Sequence, residues 1–470
     1  MVPHDPPECV TSRRTPPTMV LLRQVLVALL AFAPGVAAFN PSTRSGWARP
    51  MTMSATAEKT TIDPRLAEIR GAQQKLMAPL TKAAPAGSSQ ERFVNIVGDF
   101  MAEYAESAYT AGLSVDQYVG IIGGLLSNVG KNLKSPHKFE AFHQAIRGPD
   151  FDFYQFGNDF VDTLMITEES TTEGADKLAK IDDLVAKGDN VILLANHQTE
   201  ADPQILRLIL ENAGKDALAQ KVIYVAGHKV TTDPLAIPFS MGCNLLCIHS
   251  KKHIANPPEE TAEKQAQNMA TMSKLQDLLK GGGQCVWVAP SGGRDRPVVE
   301  EDGSKEFQIS SFDTKSVEMF RLIAQKAGKE AKKSGAEQTP TTHFFPLAML
   351  TRKLVPPPDT TDSTVGEKRS AKRGTVGLAF GPEVTADSSK AVLSEDASKD
   401  EQRAAFATAA EISVKEMYAK LLKIETDKES SETTSGVVTE AKGLSKVEVD
   451  AYIAKVKADV DAVAKARVLA

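Results

Sequence analysis

The sequence predicts a layered α/β domain with a mostly parallel sheet, preceded by a small helical domain. Three observations predict it. Apolar runs of strand length recur at 191–195, 222–226, 244–248, 285–289, 343–348 and 375–380. Helical patterns near 203–213, 261–280 and 314–333 lie between them, the alternation expected when parallel strands are joined through helices. Residues 58–165, ahead of the first run, read as helices.

Composition sets the bounds. The 470 residues suffice for two or three domains, and the 42% hydrophobic and 24% charged fractions are those of an ordinary globular protein. A net charge of −5 gives no basic field for nucleic acid. Four cysteines (Cys9, Cys243, Cys247, Cys285) are too few for a disulfide framework, and no His or Cys pair completes a zinc set. A reducing compartment follows.

Residues 1–57 read as a targeting presequence. From Cys9 to Ala57 there are five arginines and no acidic residue. Within it, 20–38 has an apolar core too short for a membrane span and ends in small residues, as a signal peptide does. Met19 is a candidate start. Phe39-Asn-Pro41 and a Ser/Thr/Arg stretch without acid follow, with transit-peptide composition. Together they resemble the bipartite presequence of complex plastids, and no integral membrane span is expected in the mature protein.

In the helical domain, Ser88-x-x-Glu91 is a capping box, and Phe93, Ile96, Val97, Phe100 and Tyr104 fall on one face. Further helices are expected over 115–133 and 137–147. The aromatics at 151–156 are expected to be core, joining this part to the next. The α/β domain, taken as 166–426, opens with a helix carrying Leu178, Ile181, Leu184 and Val185 that stops at Gly188. Residues 356–374 read as a mobile surface loop, 400–423 as a closing helix and 427–440 as a polar linker. Val449, Ile453, Val456, Val460 and Val463 mark a short amphipathic tail helix over 446–468.

The chemistry centres on Ala195-Asn-His-Gln-Thr-Glu-Ala-Asp-Pro203. It lies between a buried strand and a helix, with Asp202 suited to the cap and Pro203 to the first helical position. On a continuous helix a five-residue step separates two side chains by roughly 140°. A turn can fold His197 and Asp202 together, so that the carboxylate fixes the imidazole tautomer and leaves the other nitrogen as a base. Two further strand ends bear cations. Ser250-Lys-Lys-His253 follows one run and Pro290-Ser-Gly-Gly-Arg-Asp-Arg296 follows another. Arg294 and Arg296 alternate, with Asp295 opposite, and Gly292 and Gly293 let the backbone approach a ligand. With Lys252 and His253 they form a candidate phosphate clamp. Ser291 lacks a nucleophile elbow, 281–284 lacks the P-loop lysine, and no Gly-x-Gly-x-x-Gly occurs. His228, His249 and His343 read as structural.

These motifs, with Phe239-Ser-Met-Gly-Cys243 and Phe345-Pro-Leu-Ala348 in the same order and spacing, resemble the soluble plastid glycerol-3-phosphate acyltransferases of the glycerolipid acyltransferase superfamily. The resemblance covers roughly 60–425. It implies His197 and Asp202 as the catalytic pair and Lys252, His253, Arg294 and Arg296 as the phosphate-binding set, with no metal or cofactor. It implies transfer of a fatty acyl group from acyl carrier protein, or CoA, to the sn-1 hydroxyl of glycerol 3-phosphate in the plastid stroma. Cys243 and Thr351-Arg-Lys depart from the family's plant pattern, which touches acyl or carrier contacts more than the chemistry. The alternatives are acylation of lysophosphatidate and a non-catalytic acyl-carrier-binding protein.

Overall fold

The computed structural model describes residues 62–250, 254–299, 305–335, 338–357, 368–394 and 397–434. The expected presequence, Lys252, His253, residues 358–367 and the tail helix lie outside them.

The front of the molecule is helical, as expected. Helix α1 (Pro64–Ala83) is capped by Asp63, whose carboxylate accepts from the Arg65 amide at 2.8 Å. Helix α2 (Ser89–Thr110) is capped by Ser88, which accepts from the Glu91 amide. The reciprocal half of that box lands one residue early, because the Glu91 carboxylate accepts from the Gly87 amide. Helix α3 (Val115–Lys134) carries a complete box from Ser114 and Gln117. Val97, Phe100 and Tyr104 of α2 are buried, and Tyr104 stacks on Phe160 at 4.3 Å between ring centres.

The helix expected over 137–147 does not form. Strand β1 (Phe142–His143) lies there instead and pairs antiparallel with Leu245 and Leu246. A helix this short is marginal on its own, whereas a ladder on the open sheet edge satisfies backbone groups. His143, also buried, hydrogen-bonds the Met241 carbonyl. Helix α4 (Phe153–Leu164) follows, capped by Asp152. Its Phe153, Tyr154 and Phe156 are buried, and Phe156 packs 5.1 Å from Phe239, so these aromatics join the two parts as expected.

Strand β2 (Thr171–Glu173), α5 (Ala175–Ala186), β3 (Asn190–Ala195), α6 (Asp202–Asn212), α7 (Asp216–Lys221), β4 (Val222–Gly227), α8 (Ile237–Met241), β5 (Asn244–Ile248), α9 (Thr261–Gly281) and β6 (Cys285–Val288) continue the chain. A hairpin of β7 (Arg296–Val299) and β8 (Lys305–Gln308) stands apart from the main sheet. Helix α10 (Thr314–Lys333), β9 (Thr342–Leu350), β10 (Gly377–Phe380), α11 (Ala386–Lys390) and α12 (Lys399–Thr434) complete it. The sheet order is β1-β5-β4-β6-β3-β9-β10-β2. The five strands from β5 to β9 are mutually parallel, so their carboxyl ends share one edge. Each expected strand and intervening helix is present.

Strand β3 is buried along its whole length. The two-residue period sends Val191, Leu193 and Ala195 into a cluster shared with the front helices. Ile192 and Leu194 enter a second cluster with residues of α10 and α12. Thus a continuous apolar run marks a strand covered on both faces.

Two expected loops are corrected. In place of an exposed loop, the described residues 368–374 are held in: Ala371 is fully buried and Arg369 is nearly so. Ion pairs of Arg369, described below, supply the reason. The closing helix runs to Thr434, through the first part of the expected linker. Lys353 pairs with Glu425 and Glu429, and Lys428 donates to the Glu169 carbonyl, so polar residues here are helix–body contacts.

Gly242 ends α8 where it meets α4. A Cβ there would lie 2.2 Å from the Phe153 carbonyl oxygen and 2.8 Å from the Tyr154 nitrogen. Both obstacles are backbone, so the two segments must separate. Gly242→Ala should destabilise the fold by about 1–3 kcal/mol, read as a lower denaturation midpoint at unchanged slope.

Candidate active site

The turn between β3 and α6 carries the site. Asn196 is buried, and its side chain continues the β3–β9 ladder past the end of the strand: Oδ1 accepts from the Met349 amide and Nδ2 donates to the Met349 carbonyl. Nδ2 also donates to Asp295 at 3.0 Å. The turn is thereby fastened on both sides.

His197 and Asp202 meet as their spacing predicts. Asp202 Oδ2 lies 2.8 Å from His197 Nδ1, with the carboxylate fully buried and the imidazole 23% exposed. Asp202 differs from expectation in its helical position. It is the first residue of α6, Pro203 the second, and Ala201 occupies the cap without a side-chain bond. Its carboxylate turns back instead to the preceding loop, where Oδ2 accepts from the Gln198 and Thr199 amides, while Oδ1 accepts from the Thr351 hydroxyl at 2.6 Å. With Nδ1 engaged, Nε2 is the ring nitrogen able to take a proton. Trp287 of β6 packs edge-to-face on the imidazole at 5.5 Å and restricts its rotation.

The loop after β6 is joined to this turn by Asp295. Its amide donates to the His197 carbonyl at 2.6 Å, and its buried carboxylate accepts from Asn196 and from the Ser310 amide. Burial pushes the Asp295 carboxyl up to about 6. Gly292 adopts φ +73° in this loop, a conformation that L side chains disfavour. Arg294 reaches the same turn directly, with Nη1 3.3 Å from Glu200. Arg296 is exposed at the start of β7. Lys252 and His253 lie outside the described residues, but β5, the strand they follow, ends at the same sheet edge.

Sequence reasoning missed five supports. Glu200, inside the motif, is shared by Arg294 and Arg369, and Arg369 also pairs with Asp233 at 2.8 Å. For Asp295 the alternation with Arg294 and Arg296 predicts only that it faces away from the arginines. The alternation Cys285-Val-Trp-Val placed Trp287 on the face of β6 that looks to the front helices, a signal available in the sequence. Arg369 and Thr351 carried none, because their partners are 136 or more residues away.

The comparisons with known proteins decide the family. Residues 171–349 match the Acyltransferase family model. A chloroplastic glycerol-3-phosphate acyltransferase of Cucurbita moschata is 33% identical over 348 residues, covering 74% of each chain. The chain belongs to the glycerol-3-phosphate acyltransferases. A second such relative, from Arabidopsis thaliana, is 30% identical across 74% of this chain and 72% of its own length. The spinach acyltransferase is 34% identical, and this match spans 67% of the chain but 63% of the spinach protein's length. All three acyltransferases are chloroplastic, which places the family's site of action in the plastid. Among the described residues of this acyltransferase, no helix is long and apolar enough to cross a membrane.

Proposed function

We propose that the chain transfers a fatty acyl group from an acyl carrier protein or CoA thioester to the sn-1 hydroxyl of glycerol 3-phosphate, giving 1-acyl-glycerol 3-phosphate. The observation that carries the reading is the His197–Asp202 pair at the carboxyl end of the central strand, with Arg294 one ion pair away. An alcohol is a poor nucleophile at neutral pH. In the proposed step, Nε2 of His197 takes the hydroxyl proton as the oxygen attacks the thioester carbonyl, and Asp202 stabilises the imidazolium. Collapse of the tetrahedral intermediate breaks the C–S bond, and the imidazolium returns the proton to the leaving thiolate. Arg294 and Arg296, with Lys252 and His253, hold the phosphate so that the hydroxyl meets the carbonyl, which turns an encounter into an oriented reaction. The stroma, reached through the bipartite presequence of residues 1–57, supplies the donor.

The test is an acceptor comparison: glycerol 3-phosphate against lysophosphatidate, each with acyl carrier protein and CoA donors, and product position read by regiospecific lipase digestion. Preference for lysophosphatidate, or acylation at sn-2, overturns the reading. Binding of acyl carrier protein without turnover of either acceptor would make the protein a carrier-binding module instead.

The clamp has its own test. Arg294→Ala or Arg296→Ala should each raise KM for glycerol 3-phosphate about 10- to 100-fold, the worth of a charge-assisted hydrogen bond, with kcat changed far less. Glu200 keeps Arg369 as a partner in the Arg294 variant, so the turn survives. Normal KM in both variants would remove the arginines from the clamp.

A further inference from the structure

We infer that Thr351 is a positioning residue for the proposed base pair, holding Asp202 through the carboxylate oxygen that His197 does not use. The inference rests on His197 acting as base and Asp202 as its partner. Thr351 follows β9 directly and is fully buried, and Asp202 is 1% exposed. Oδ2 of Asp202 is occupied by His197 and two loop amides. Oδ1 takes the Thr351 hydroxyl at 2.6 Å. Thr351 is itself held in place. Its amide donates to Gln198 Oε1 at 2.9 Å, and Gln198 Nε2 donates to the buried Tyr418 hydroxyl of α12 at 2.7 Å. The residue at the end of β9, itself tied to α12 through Gln198, therefore holds the carboxylate oxygen that His197 leaves free.

The physical consequence concerns the proton. Each donor on a buried carboxylate stabilises the anion, and removal of one leaves that oxygen unsatisfied in a low-dielectric site. The Asp202–His197 couple then binds its proton more tightly, and the base becomes free only at higher pH. Other ionisable or charged groups surround the couple. Asp295 lies across Asn196 and feels His197. Glu200 is paired with Arg294 and Arg369. Arg352, beside Thr351, is paired with Glu425 of α12, and both act on Tyr418. All of them remain when Thr351 is changed, so they enter both pH profiles alike. Thr351 opens the Thr351-Arg-Lys stretch that the sequence reading expects to touch acyl or carrier contacts. The geometry connects it to the base rather than to the acyl chain.

The experiment is the pH profile of kcat/KM for the full chain with glycerol 3-phosphate and an acyl thioester. Thr351→Val should move the acid limb up by about one pH unit, from the worth of a hydrogen bond to a charged group, and lower the plateau. Thr351→Ser, which keeps the donor, should return the limb to its original position. An unmoved limb in Thr351→Val, whatever its melting temperature, overturns the proposal. Thr351→Ala removes the same donor and is read the same way if the valine variant does not fold. Failure of both to fold overturns it in favour of a purely structural hydroxyl. His197→Ala, run alongside, separates the two readings: if it stays active, the base assignment fails, and not this inference alone.

Discussion

His197→Ala should lower kcat about 10²- to 10⁴-fold, the usual worth of a positioned general base, while the protein still folds. The imidazole is partly exposed, and the hydrogen bond found for its side chain is to Asp202. Asp202 would keep the Gln198 and Thr199 amides and the Thr351 hydroxyl, so the turn stays satisfied without the ring. KM for glycerol 3-phosphate should change little, since phosphate contacts are assigned to other side chains. The measurement is steady-state thiol release with each substrate varied, together with a thermal melt. Retention of more than about a tenth of the activity would be below any general-base contribution, and the proposed mechanism would fall. A collapsed melting curve would instead mean that the ring holds the turn.

Asp202→Asn should lower kcat by roughly 10³-fold with the structure retained, and for a different reason. The asparagine oxygen can take the place of Oδ2 and accept from His197 and the two amides. Its NH₂ then faces Thr351, whose hydroxyl can turn to accept. The hydrogen bonds survive but the charge does not. A full charge about 4 Å from a developing imidazolium is worth about 4 kcal/mol at an effective dielectric of 20, near three decades in rate. Asp202→Ala should lose activity and stability together, because it strands two loop amides, the ring and a hydroxyl. A nearly active Asp202→Asn enzyme would show that the carboxylate only orients the ring.

These predictions depend on residues that differ in how legible they were. The pair at 197 and 202 could be read from the chain because a strand and a helix flank a six-residue turn, and only a turn brings that spacing together. The sheet could be read because β3, β6 and β9 are buried on both faces and so carry uninterrupted apolar runs. The 137–147 segment was misread as a helix because a few apolar residues on one face do not reveal an available strand edge. Residues 368–374 were misread as an exposed loop because composition registers charge and turn residues but not that Arg369 meets Glu200 and Asp233.

Legible in the sequence alone were the strands β3, β4, β5, β6, β9 and β10 with the long helices between them, the turn that carries His197, and the charged strand ends, since these follow from local periodicity and short-range spacing. Only the tertiary structure decided that Asp202 caps its own loop rather than its helix, that Asp295 ties the β6 loop to His197, and that Thr351 and Arg369 complete the surroundings. The Asp295, Thr351 and Arg369 contacts join segments about 100 or more residues apart, and the pairing of buried charges and donors across such distances is set by the shared sheet edge, which no local pattern encodes.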